Sequence, residues 1–134
     1  MGAIKSYRDL QVWQKGVQLA SLVYQTSRAL PKDEQFGLIS QMRRAAVSVP
    51  SNIAEGSGRR SRADYVRFLN VAMGSLFELQ TQAEIAANLG YFNDAESQPL
   101  VADAREVERM LSALIRKLSP LFFCAFVPLS LCPF

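Results

Sequence analysis

Tyr65, Leu69, Ala72, Leu76, Leu79, Ala83 and Ala86 follow one another at alternating steps of four and three. A strand would scatter these residues over both its faces. A helix of 3.6 residues per turn gathers them into one stripe. The mean step of about 3.5 is the period of a seam between long helices packed at shallow angles. The same rhythm recurs in Ile39, Met42, Ala46, Val49 and Ile53, and again in Leu100, Ala104, Val107, Leu111, Leu114 and Leu118. Near the N-terminus it appears in Leu10, Trp13, Val17, Ala20 and Tyr24, beside a second row of Val12, Leu19, Val23 and Leu30. Two rows make a broad apolar face, so this segment is expected to have neighbours on two sides. Nowhere does the chain alternate with period two over any length, and no sheet is expected.

Local signals bound the four segments. Ser6 with Asp9 reads as an N-cap and an acidic first turn, and Pro31 stops the first helix. The second begins near Asp33. Its register runs straight through Pro50, which predicts one helix kinked there and ending at Gly56 or Gly58. An interior proline forfeits a backbone hydrogen bond at a cost of about 3 kcal/mol if nothing compensates. Ser61 and Asp64 open the third helix and Gly90 closes it. The fourth starts near Ser97, with Pro99 in its first turn. Short connections make successive helices antiparallel neighbours. The expected fold is all-α: an up-down-up-down four-helix bundle over residues 1–119, with helices at about 6–30, 33–57, 62–89 and 97–118. Gly74 and Ser75 are expected to mark a close approach of two backbones, since a mid-helix glycine costs about 1 kcal/mol.

Residues 120–134, "PLFFCAFVPLSLCPF", carry no charge and three prolines. They are too short and too broken to span a bilayer as a helix. They read as a tail lying on an apolar groove or a disordered end, with a docking segment for a partner or membrane surface as the alternative.

The chain contains no histidine, which removes the commonest general base and metal ligand. Di-metal carboxylate bundles need Glu-x-x-His pairs, so Glu55, Glu78 and Glu84 are expected to be ion-pair partners. Cys124 and Cys132 match no zinc or redox spacing. No lysine lies between Lys32 and Lys117 to serve a Ser-Lys mechanism. A protein without enzymatic activity, cofactor or metal is expected. The opening "MGAIKSYRDLQVW" lacks a signal-peptide core, which points to the cytoplasm, and Gly2 alone is a weak myristoylation signal.

The net charge of +3 is unevenly spread. Residues 43–67 hold Arg43, Arg44, Arg59, Arg60, Arg62 and Arg67 against Glu55 and Asp64. The remainder of the chain is close to neutral. Such a pattern permits a polyanionic partner without requiring one. Within this segment Arg44, Ser48, Asn52 and Glu55 share one helix line, with Ser51 beside it. Short hydroxyl and amide side chains suit an interior or interfacial hydrogen-bond network. The "GSGRRSR" corner admits two readings. Backbone N–H groups at a helix start, with three arginines, can hold phosphate. A basic turn whose arginines pair with Glu55, Asp64 or a neighbouring subunit explains the same residues. It is not a Walker loop, because the glycine spacing and the Lys-Ser/Thr pair are missing.

"YRDLQVWQKGVQLA", "RRAAVSVPSNIAEGSGRRSRADYVRFLNVAMGSLFELQTQAEIAANLGY" and "REVERMLSALIRKL" resemble the bacterial four-helix bundle proteins encoded in 23S rRNA intervening sequences. The resemblance covers residues 5–118. A more distant similarity is to the accessory variability protein of diversity-generating retroelements. The resemblance implies a four-helix bundle and a ring-like homopentamer. It also implies nucleic-acid binding of the kind known for the retroelement relative, whose basic surface also meets a reverse transcriptase. The matching motif residues are Arg43, Arg44, Ser48, Pro50, Asn52, Glu55, Gly56, Arg60, Asp64, Arg67, Gly74, Ser75 and Glu78. Gln80 departs from the usual glutamate, which implies a lost ion pair, and residues after Ser119 have no counterpart. The expected function is a homo-oligomeric bundle binding rRNA or another nucleic acid through Arg43, Arg44, Arg59, Arg60, Arg62 and Arg67. Ser48, Asn52, Glu55 and Asp64 would form a structural or subunit network, and no membrane partner is expected. The alternative is an oligomeric scaffold for a protein partner, with no nucleic-acid binding.

Overall fold

The Asp9 carboxylate accepts hydrogen bonds from the backbone N–H groups of Lys5 and Ser6, while the Ser6 hydroxyl accepts from Arg8 N–H. This reciprocal cap closes a single 3-10 turn, Tyr7–Asp9, and Leu10 then stays extended. In the computed structural model, which describes residues 3–119, the expected 6–30 helix is therefore three pieces. Helix α1 runs Gln11–Thr26, and a second 3-10 turn, Ser27–Ala29, leads to Leu30 and Pro31. The expectations for Gly2 and for residues 120–134 lie outside the described residues.

Helix α2, Leu38–Ser57, starts later than expected. Lys32–Glu34 form their own 3-10 turn, and Glu34 reaches forward so that its carboxylate accepts the Leu38 N–H at 2.8 Å. A Cβ on Gly37 would sit 2.7 Å from that carboxylate, so glycine is what lets the cap close. The helix continues without interruption through Pro50. Pro50 is buried, and a Cβ on Gly16 of α1 would lie 3.3 Å from its Cβ. The two helices thus approach closely where one lacks a side chain and the other has a compact ring.

Helix α3, Arg62–Asn88, begins at Ser61, whose hydroxyl accepts the Asp64 N–H. At its end Gly90 adopts φ +76°, Gly90 N–H donates to Ala87 and Tyr91 N–H donates to Ala86. That glycine-dependent reversal leaves the polypeptide ready to turn back. Helix α4, Asp94–Leu118, is capped by Asn93 and starts three residues earlier than expected. Pro99 consequently sits in the second turn. Asp94 and Glu96 in its first turn and Arg116 and Lys117 in its last complement the helix dipole.

Each helix packs on its sequence neighbours, and α1 closes the ring against α4. The four-helix bundle follows directly. Leu19, Val23, Met42, Val49, Ile53, Leu69, Leu76, Leu79, Leu100 and Leu111 are fully or almost fully buried in one core. Of the two rows on α1, the Val12–Leu19–Val23–Leu30 row faces inward. In the other row Val17 and Tyr24 remain exposed. On α3, Val71, Phe77 and Ile85 are exposed as well, as is Leu89 just past its end. Gly74 has open space around it: a Cβ there would meet nothing within 4 Å among the described residues, so it is no close-packing point between the described helices. Gln80 donates to the Glu108 carboxylate at 3.0 Å; a glutamate there would meet a like charge. No described helix is long and apolar enough to cross a membrane.

Candidate nucleic-acid interface

The α2–α3 corner is built on Gly56. A Cβ there would fall 2.7 Å from Phe68 Cβ and 3.1 Å from Tyr65 Cδ1. Its absence lets the last turn of α2 lie directly on the second turn of α3. The guanidinium carbons of Arg59 and Arg67 then stand 4.6 and 4.5 Å from the centre of the Phe68 ring. Asp64 joins them: Arg67 Nη2 lies 2.8 Å from one carboxylate oxygen and Arg59 Nε 3.8 Å from the other. Glu55 adds a second contact to Arg59 at 3.1 Å. Each exposed ion pair contributes about 0–1 kcal/mol, and each cation–π contact about as much. The cluster orients two guanidinium groups more than it stabilises the fold. Arg60 and Arg62 are exposed and have no ion-pair or hydrogen-bond partner among the described residues. They flank the α3 N-terminus, where only part of the backbone N–H set is satisfied by Ser61.

Arg43 and Arg44 stand elsewhere. Arg44 stands about 20 Å of helix before the end of α2, which precedes Arg59. Arg43 donates to the Ser27 hydroxyl at 2.9 Å and the Tyr24 carbonyl at 3.3 Å, and its guanidinium lies 4.6 Å from the Tyr24 ring. It ties α2 to the end of α1. Arg44 is exposed and lines a polar cavity of about 340 Å³ with Ser48, Ser75 and Glu78. The six arginines are therefore not one surface.

The four residues expected to share a network also divide. Ser48 and Ser75 hydroxyls pair at 2.9 Å, and the Asn52 amide donates to the Ser48 carbonyl and hydroxyl. This is a hydrogen-bonded seam between α2 and α3 of one chain. Glu55 and Asp64 belong instead to the arginine corner. Farther along α3, Gln82 is 5% exposed and donates to Glu78, and its carbonyl oxygen has no donor among the described residues. Ser75, Glu78 and Gln82 step by three and four beside the apolar row of α3, which is the signal that places them together in the sequence.

Folding adds cations that spacing along the chain did not reveal. The N-terminal segment, the α2–α3 turn and the end of α4 meet at one end of the bundle. Lys5 and Lys117 line the same groove there as Ser57 and Gly58. That end gathers Lys5, Arg8, Arg59, Arg60, Arg62, Arg67, Arg116 and Lys117 against Asp9, Glu55 and Asp64. The opposite end holds Arg28 and Lys32 against Asp33, Glu34, Asp94 and Glu96. Among the described residues no group of three or more His, Cys, Asp or Glu comes together as a metal site.

The family model described as 23S rRNA-intervening sequence protein matches residues 8–113. Among solved structures, the chain is similar to a protein of unknown function from the S23 ribosomal protein family of Bacteroides thetaiotaomicron. The two share 24% identity and superpose with a TM-score of 0.73, covering 78% of this chain and 98% of the other. At that identity the likeness bears on the fold alone. None of the curated proteins matches the chain.

Proposed function

The chain belongs to the 23S rRNA-intervening sequence protein family, and from that premise we propose that it is a non-enzymatic, cytoplasmic homo-oligomer that binds RNA or another nucleic acid through the basic end of its bundle. The observation that carries this reading is the segregation of charge. Eight of the fifteen basic residues lie at one end, where Arg60 and Arg62 are exposed and have no partner among the described residues, beside a helix N-terminus. Contacts of this kind address phosphates and not base identity. Binding should then be insensitive to sequence and fall steeply with salt. Electrophoretic binding of rRNA fragments over a salt series tests it; absence of binding at low salt overturns it.

Self-association, a pentamer by family resemblance, is supported by apolar surface that the bundle leaves uncovered. Trp13, Val17, Ala20 and Tyr24 of α1 and Val47 of α2 border one shallow groove, and Val71, Phe77 and Ile85 are exposed on α3. Light scattering that gives a monomer mass at micromolar concentration would remove this part of the reading.

A second reading is favoured by one specific observation: Arg59 and Arg67 already have acidic partners in Asp64 and Glu55. In that reading the corner is a rigid scaffold element facing a protein partner, and rRNA fragments do not bind.

A further inference from the structure

At the basic end lies a groove of about 530 Å³ whose walls are Tyr7, Leu10, Tyr65 and Leu114, with Lys5 and Lys117 among its edge residues. Both lysines are exposed, and their ammonium groups have no partner among the described residues. Burial in this wall raises the pKa of the Tyr65 phenol, keeping it neutral. The groove also includes Gly58, the residue before Arg59, so its edge continues into the arginine corner.

We propose that this groove receives an unpaired base of a nucleic-acid strand, whose phosphates run over Lys5, Lys117 and the Arg59–Arg62 turn. The inference rests on the nucleic-acid reading above and adds the class of strand. An apolar, tyrosine-containing wall under a cationic edge complements a flat base joined to a phosphate. A duplex keeps its bases stacked inside and would leave the wall uncovered, whereas a single strand can turn a base onto it. A lone anion, such as a fatty acid carboxylate, would use one lysine and none of the arginines beyond. Charge complementarity over the whole end therefore selects a polyanion.

The chain supplies its own reporter. Trp13 is its single tryptophan, and its ring centroid lies 5.1 Å from that of Tyr7. Arg8 stands 5.5 Å from the Tyr7 ring and 5.6 Å from the Trp13 ring, so movement at Tyr7 alters the surroundings of both.

The test titrates the full chain with an oligouridylate of about twelve nucleotides and with an RNA duplex carrying the same number of phosphates, following Trp13 emission and electrophoretic mobility. The strand is expected to change Trp13 emission saturably and to bind about tenfold more tightly than the duplex. Tyr7→Leu should weaken strand binding more than duplex binding and so remove most of that advantage. The double variant Lys5→Gln, Lys117→Gln replaces exposed, unpaired groups and should keep the fold. Its salt slope for the strand should be shallower by about 1.4 units. Equal affinity for strand and duplex with unmoved Trp13 emission overturns the groove assignment and leaves the arginine corner as the binding surface. Emission that responds to anionic phospholipid vesicles and not to the oligomer also overturns it. Failure of both nucleic acids to bind overturns this inference together with the proposed function.

Discussion

A methyl group at residue 56 has no space to occupy. Gly56→Ala would place a carbon 2.7 Å from Phe68 Cβ and 3.2 Å from the Tyr65 carbonyl oxygen. Relief requires α2 and α3 to separate, at about 1–3 kcal/mol in urea unfolding. Phe68 would shift with them, and with it the seat of Arg59 and Arg67. Gly74→Ala has the opposite expectation: no described residue crowds its Cβ, so removal of a mid-helix glycine should stabilise the chain by about 0.5–1 kcal/mol. In the sequence Gly56 reads as a helix end and Gly74 as the close-packing point, the reverse of what the fold shows. What separates them is the residue facing each across a seam, which helical period does not encode. Gln80 carries a similar lesson. Gln80→Glu would set two carboxylates against each other where an amide now donates to Glu108 at 3.0 Å. Stability should fall at neutral pH, measured by urea unfolding against the wild type.

At the scale of elements, the passage of α2 through Pro50 was legible because the apolar register from Ile39 to Ile53 keeps its phase. Helix beginnings were less legible, because several local caps compete. Ser6 and Asp9 look like the start of a long helix but satisfy each other within one turn. Glu34 caps α2 from four residues away, a role that depends on Gly37. The pairing of α1 with α2 can be tested at Gly16. Gly16→Leu drives a side chain into the Pro50 ring and should cost about 1–3 kcal/mol, measured by thermal or urea unfolding. The far end of the bundle offers a pH test. Tyr91 donates its hydroxyl to Glu34 at 3.4 Å; desolvation first, then the charges of Glu34 and Asp33, raises its pKa above the ordinary 10.0. A folded pKa above the unfolded one means that its contribution is complete below pH 10 and lost as pH rises through the raised value. Wild-type stability should therefore decline more steeply than that of Tyr91→Phe in alkaline unfolding experiments.

For the molecule as a whole, four amphipathic repeats sufficed to specify the bundle, because each apolar stripe must be buried and short connections allow few arrangements. The candidate site was legible only in part. Arg59, Arg60, Arg62 and Arg67 are near in sequence and remain near in space. Lys5, Arg8 and Lys117 join them through folding alone, and Arg43 is turned to a task within the chain. Whether the basic end grips phosphate can be decided by one comparison. Affinity for an rRNA fragment is measured over a salt series for the wild type and for the triple variant Arg59→Ala, Arg60→Ala, Arg62→Ala, with light scattering on both. The oligomer should be unchanged and the salt slope shallower by about two to three units, nearly one for each lost phosphate contact. An intact triple variant with the wild-type slope would contradict a phosphate grip.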